Sequence, residues 1–343
     1  MSVSVAVVGA GRWGVNHVRV LSELRGSRIE KVYVVDENPS RAREVAAKYQ
    51  CDGWFTSISD LVGSGHKVDA AVVAVPTALH YSVAAAIVEK MDLLVEKPLA
   101  ASPEEGLELV KRARKAGKLL MVGHIERFNP TVHEVKIRAE ELGGPLSIEA
   151  KRLGPGPAKS YTLNLGVAHD LLVHDVDVAN FIIGAPPTRV YAITARQEDY
   201  PYEVEVQALY EYQEGVTAFL VASWRSEPHY KHRSLTVRTP SALIRADYIL
   251  RRVVIDNGLL KRPLTYTETS YHSESSLLEI SYLQPEPLKL ELLNFIDSIT
   301  GRSKPAVTGV DGYVALKCIV KAVEASVKRH PVEIEWSEIS SLY

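Results

Sequence analysis

Between Val3 and Gly123, short β-branched runs alternate with longer segments whose apolar residues recur at helical spacing. This pattern predicts a parallel sheet covered by helices. Strands are expected at 3–8, 30–35, 69–75, 91–95 and 118–122, with helices starting near Arg12, Pro39, Ala78 and Pro103. Beyond about residue 125 the period changes to two. The segments "PLSIEAKRL", "RVYAITARQ", "EVEVQALYEY", "VTAFLVASW", "RSLTVRT" and "ALIRADYI" alternate apolar and polar positions, as strands of an antiparallel sheet with one covered face do. The turns "YQEG" and "TPSA" join neighbouring pairs. Helical spacing returns near 286–300 and 311–329. The expected fold is an α/β domain with a parallel sheet over residues 1–124, then an α+β domain with a large, mostly antiparallel open sheet over 125–343. The final helices are expected to pack back on the first domain, and the open sheet face to form a homodimer or homotetramer.

The first strand runs into "GAGRWG", which places Gly9, Gly11 and Gly14 at G-x-G-x-x-G spacing around Arg12 and Trp13, at the start of a helix. Such glycines make a tight turn, let the backbone approach a pyrophosphate and let helix pack on strand, while the helix N-terminus offers N–H groups to phosphates. The motif, with a strand before it and a helix after it, marks a dinucleotide-binding Rossmann domain. Asp36 ends the second strand, 22 residues after Gly14. An acid there accepts hydrogen bonds from the adenosine ribose and repels the extra phosphate of NADP, so NAD is the expected cofactor. Arg41, five residues on, keeps NADP open as an alternative.

Val75, Pro76, Thr77 and His80 follow the third strand at the carboxyl edge of the sheet, where ligands of open α/β folds bind. As a plain alternative, His80 is a surface residue at a helix start. The fourth strand ends in Glu96, Lys97 and Pro98. Lys97 at that edge is placed to polarise a hydroxyl or carbonyl, its bland alternative being a structural pair with Glu96.

The stretch "VAHDLLVHDVDVANF", Val167 to Phe181, sets ionisable residues into an otherwise apolar helix. At roughly 100° per residue, Asp170, His174 and Asp177 fall within an arc of about 60°, opposite Leu172, Val176, Ala179 and Ile183. Either the stripe is a solvated face with Asp170 favouring the helix dipole, or Asp170 and His174 form a pair whose imidazole serves as general acid or base. The spacing of His169, Asp170, His174 and Asp175 matches no metal-ligand signature, so no metal is expected.

Composition narrows the classes. The chain has 343 residues, enough for two domains, with 46% hydrophobic and 24% charged residues and a formal net charge of -2. Nothing in that balance draws nucleic acid. Two cysteines, Cys51 and Cys318, make no disulfide framework and fit a reducing compartment. The N-terminal run is cut by glycines and lacks a basic flank, and no apolar run is long enough to span a bilayer. A cytoplasmic protein with no membrane partner is expected.

G-x-G-x-x-G, a strand-ending Asp36, "EKP" and the D-x-x-x-H of Asp170 and His174 occur here in one order, followed by "PAVTGVDGYVALKCIVKAVEASVKRHPVEI". In this set the chain resembles the Gfo/Idh/MocA oxidoreductases over nearly its whole length. The resemblance implies that Lys97, Asp170 and His174 meet over the nicotinamide. His174 would take a proton from a secondary alcohol, Lys97 would stabilise the reacting oxygen, and Asp170 would orient these cations; Asp177 is expected in a structural ion pair. "VGHIERFNP", "KRLGPGPAKS" and "GVAHDLLVHDVDVANFIIG" are similar to the branch that contains UDP-N-acetylglucosamine 3-dehydrogenases. That implies a nucleotide-sugar substrate, with His124, Arg127, Asn129 and Arg152 as candidate substrate contacts alongside Lys97, Asp170 and His174. A fork for phosphate or carboxylate at Arg127 and a hydroxyl reader at Asn129 fit such a ligand, against plain helix-edge roles. Lys151 and Lys159 either meet a diphosphate or are solvated. The branch carries an acid near Asn164, and its absence here leaves the sugar open. A free sugar or inositol, NAD-assisted glycoside elimination, and a non-catalytic NAD-binding sensor stand as alternatives.

Overall fold

A computed structural model describes residues 2–156, 165–226, 230–257, 277–281 and 286–339. Lys159 and Asn164, singled out above, lie outside the described residues. Two compact units divide the chain: Met1–Ile125 with Pro285–Leu316 and Ile339–Tyr343, and Glu126–Gln284 with Lys317–Glu338.

In the first unit β1 (Val3–Val8), α1 (Arg12–Glu23), β2 (Ile29–Val35), α2 (Pro39–Lys48), β3 (Gly53–Phe55), α3 (Ile58–Gly63), β4 (Ala70–Val73), α4 (His80–Ile87), β5 (Asp92–Glu96), α5 (Pro103–Lys115) and β6 (Leu120–Gly123) follow in order. The sheet is parallel throughout, in the order β3-β2-β1-β4-β5-β6. Every residue of β1, β4 and β6 is buried, as strands covered on both faces must be. Asn38, Ser57 and Ser102 cap α2, α3 and α5, and Pro39 and Pro103 occupy first-turn positions whose N–H would have no partner. All five expected strands form. β3 and α3 were not expected, being only 3 and 6 residues long, too short to show a period. The helix expected from Ala78 starts at His80, after a 3-10 turn over Thr77–Leu79.

The second unit runs through α6 (Pro130–Glu141), β7 (Ser147–Leu153), a π-helical turn (Ala168–Leu172), α7 (Val173–Ile183), β8 (Arg189–Gln197), β9 (Tyr200–Glu211), β10 (Thr217–Ser223), β11 (His232–Arg238), β12 (Leu243–Asp247), β13 (Arg252–Asp256) and β14 (Leu277–Ser281). With β15 (Val332–Glu333) these strands form one sheet, in the order β14-β13-β12-β11-β7-β10-β9-β8-β15. It is antiparallel except for the parallel pair β7 and β10. α6 lies against β11, β12 and β13, and α7 against β7 and β10. Ile148, Ala150, Leu220, Ala222, Leu235 and Val237 are buried on this covered face. On the other face Tyr191, Leu209 and Phe219 are register neighbours across three strands, and each keeps more than a third of its surface exposed.

α8 (Pro287–Ile299) and the start of α9 (Gly309–Lys328) belong to the first unit, and the rest of α9 to the second. α9 approaches β6 so closely that a side chain at Gly312 would overlap Val122. No helix among the described residues is long and apolar enough to cross a membrane.

Candidate active site

The glycine loop has the form a pyrophosphate needs. Gly9 turns with φ +95°, a conformation L residues avoid, and a Cβ at Gly14 would collide with the Gly9 carbonyl, so only glycine lets α1 start this close to β1. A Cβ on Gly11 would meet nothing within 4 Å, so its backbone is open to a ligand at the N-terminus of α1. Arg12 and Trp13 are exposed beside it. Asp36, 7% exposed, accepts from Ala10 N at 2.7 Å and Asn38 N at 2.9 Å, which ties the end of β2 to the loop. Its carboxylate oxygens still have lone pairs for a ribose. Arg41 Nη1 stands 3.6 Å from it. The residues present therefore fit the adenosine and pyrophosphate parts of NAD.

At the next strand end Val75 and Thr77 are half-buried, and Pro76 is exposed. His80 is not a surface residue: it is 1% exposed, with Nδ1 at 2.7 Å from the Pro98 carbonyl and Nε2 at 2.9 Å from the Val75 carbonyl. Burial pushes its imidazole below the usual histidine range, against the pull of these two carbonyls. It therefore holds the ends of β4 and β5 together. Lys97, half-buried, follows β5. Its backbone N–H donates to Glu96 Oε2 at 3.2 Å, and Glu96 Oε1 meets His17 Nε2 at 2.7 Å. Burial raises the Glu96 carboxyl, but the hydrogen bond and charge of His17, with the charge of Lys97, bring it below the ordinary carboxylate value. His17 and Glu291, both buried, were missed in the sequence. The signals were present: His17 is three residues past Gly14 on the inner face of α1, and Glu291 sits on the buried stripe of α8 with Leu288, Leu292 and Phe295.

Glu291 supplies a pH-dependence. Burial, then the negative charge of Glu96, push its carboxyl well above the usual range, which favours its neutral form in the folded protein. A group whose folded value is raised gives stability that is complete below the unfolded value and is lost as pH rises towards the folded one. Glu291→Gln removes that loss. The variant should gain on the wild type from about pH 5 upward, by up to about 1.4 kcal/mol per pH unit, with a constant offset below about pH 4. Denaturant unfolding at several pH values reads this, and a pH-independent difference would refute it.

In the second unit Asp170 lies in the π-helical turn and His174 in the first turn of α7. Uniform α-helical geometry, used above to line up Asp170, His174 and Asp177, does not hold across this wider turn. Glu203 fixes the turn's start by accepting from Ala168 N at 3.1 Å. Asp170 Oδ2 accepts from Trp224 Nε1 at 3.1 Å, while Asp177 takes the Arg127 guanidinium at 2.7 Å. The stripe is thus divided: Asp170 and His174 are each half-buried, while Asp177 is in a buried ion pair. Trp224 was also missed as a partner of Asp170, although its parity with Leu220 and Ala222 points it to the covered face.

Three expected substrate contacts have hydrogen-bond partners within the fold. Arg127, 6% exposed, is bidentate to Asp177. Arg152, 1% exposed, forks onto Asp175 and gives Nη1 to Glu126 at 2.8 Å. Burial works against its charge, but the two carboxylates outweigh it and hold the guanidinium ionised. Asn129 caps α6 through Thr131 N and donates to Glu126 at 3.1 Å. His124, directly after β6, is buried.

A parallel six-stranded unit with this loop, and a sheet unit carrying an Asp–His turn, define an NAD-dependent oxidoreductase of two-unit build. Residues 3–124 match the oxidoreductase family, NAD-binding Rossmann fold, and residues 134–242 match the GFO/IDH/MocA C-terminal domain. The chain belongs to the GFO/IDH/MocA oxidoreductase family. It is 34% identical over 191 residues to UDP-N-acetylglucosamine 3-dehydrogenase of Acidithiobacillus ferrooxidans, a match covering 54% of this chain and 56% of that one. With scyllo-inositol 2-dehydrogenase (NAD(+)) of Bacillus subtilis it shares 26% identity over 345 residues, 97% of this chain and 96% of the other. The solved structure of the Acidithiobacillus ferrooxidans enzyme covers 95% of this chain and 98% of its own, with a TM-score of 0.79 at 24% identity, a likeness of fold.

Proposed function

We propose that this protein oxidises a secondary ring hydroxyl of a nucleotide sugar to a ketone, with C3 of UDP-N-acetylglucosamine as the first candidate. The observation that carries it is Asp170, fixed by Trp224 one turn before His174, in a chain that also keeps Lys97 at the carboxyl end of its β5 strand. The 34% identity to a UDP-N-acetylglucosamine 3-dehydrogenase supports the sugar. NAD, when bound, supplies the hydride acceptor. In this reading His174 takes the hydroxyl proton, Lys97 hydrogen-bonds the reacting oxygen as charge develops on it, and Asp170 orients these groups. The full-length similarity to an inositol dehydrogenase supports a free polyol as the second reading. The exposed row of Tyr191, Leu209 and Phe219 favours a homodimer through the open sheet face; sedimentation as a monomer at micromolar concentration would remove that part.

The test is NADH absorbance from purified protein given NAD and a panel of UDP-N-acetylglucosamine, its uronic acid, other UDP-sugars, free sugars and inositol. Signal with a UDP-sugar is expected. Signal with inositol alone would replace the substrate, and silence across the panel with NAD bound would overturn the reading.

A further inference from the structure

On the covered face of the sheet, two arginines stand side by side. Arg233 of β11 is the register partner of Arg152 of β7, and it shares the face of the buried Leu235 and Val237. The two side chains have different surroundings. Arg152 is 1% exposed and takes both Asp175 and the near oxygen of Glu126 at 2.8 Å. Arg233 is left a contact of 3.6 Å to that same oxygen, with its side chain 38% exposed. That distance is beyond a hydrogen bond, and it is the ion pair Arg233 has among the described residues. Burial, then the neighbouring charge of Arg152, push the Arg233 guanidinium below the usual arginine value, and Asp170 lies within its electrostatic reach. Tyr248 lies close by, and its hydroxyl is buried with no hydrogen-bond partner among the described residues. Its ring lies under Arg152 at 5.5 Å, and its backbone N–H donates to the Arg233 carbonyl at 3.1 Å.

A five-donor fork that is partly desolvated, crowded by a second cation and only distantly paired gains more from an oxyanion than a solvated arginine does. Asp170 itself is engaged by Trp224. We infer that Arg233 binds an oxyanion of the substrate, a phosphate or a carboxylate, and so selects a charged sugar over a neutral polyol. This rests on the dehydrogenase reading for its word "substrate" and deepens it, because it makes charge the property that separates nucleotide sugars and sugar acids from inositol.

Binding can be read without turnover. Calorimetric titration of the NADH-saturated protein with UDP, glucuronate and myo-inositol should show affinity for one of the two oxyanions. UDP identifies a diphosphate and glucuronate a carboxylate. Arg233→Gln should weaken that binding by about tenfold or more, with the thermal midpoint unchanged. Should the Gln variant not fold, Arg233→Lys, which keeps the charge and loses the fork, should weaken binding severalfold. Wild-type protein that binds neither oxyanion, or a variant that binds as tightly as wild type, overturns the inference. A protein that binds an oxyanion but oxidises nothing in the panel would keep this inference while the dehydrogenase reading falls; one that oxidises inositol without binding either oxyanion would do the reverse.

Discussion

Lys97→Met should lower turnover by about a thousandfold or more, while NAD affinity stays within a few-fold of the wild type. On the proposed role, the magnitude follows from removing the cation that stabilises developing negative charge, together with loss of orientation for the reacting oxygen. Methionine keeps the length and apolar stem and leaves in place the hydrogen bond from the Lys97 backbone N–H to Glu96, while the side chain's charge near Glu96 is lost. Steady-state rates on the substrate found in the panel, paired with fluorescence titration of NADH, separate the two effects. A variant that turns over within tenfold of the wild type would strip Lys97 of its assigned role. Equal loss of turnover and of NADH binding would instead make it a cofactor residue.

Arg152→Met is expected to be the most destabilising single change in the second unit, at about 3–5 kcal/mol. Arg152 holds Asp175 through a bidentate fork and Glu126 through a third hydrogen bond, and the side chains of all three are at most 9% exposed. Methionine fills the space and leaves two buried carboxylates with that guanidinium gone. Urea unfolding measures the loss, and the companion variant Arg152→Met with Asp175→Asn should recover part of it, since one of the two stranded charges is then gone. A loss below about 1 kcal/mol, or no recovery, would mean that water or Arg233 already neutralises the pair.

The first unit was legible because its central strands are covered on both faces, so "AAVV" reads as an unbroken apolar run and "VSVAVV" as one broken only by Ser4, and because Pro39 and Pro103 announce their helices. The alternating strands of the second unit were legible for the complementary reason, one face being covered; β13 and β14 passed unnoticed as short segments. The site was harder. Arg127 and Arg152 have the residue type of a phosphate reader, but sequence does not show that their carboxylates wait 50 and 23 residues further on. The departure from α geometry at Ala168–Leu172 comes from a local hydrogen-bonding choice that periodicity averages away. His17 and Glu291 are joined to Glu96 by folding of the first unit, and their buried positions on helix faces were the one trace they left.

Because α9 is divided between the two compact units at Leu316 and Lys317, neither unit is a continuous piece of the gene. Leu120 and Val122 leave the ribosome early, but the helix start that covers them, Gly309 to Gly312, follows only after strands β7 to β14. At about 5–20 residues per second, that interval lasts roughly 10–40 s. During it the nascent first unit carries an uncovered apolar flank at Leu120 and Val122. A gene cut after residue 125 would make that state permanent, so the dinucleotide-binding part is best expressed within the whole chain.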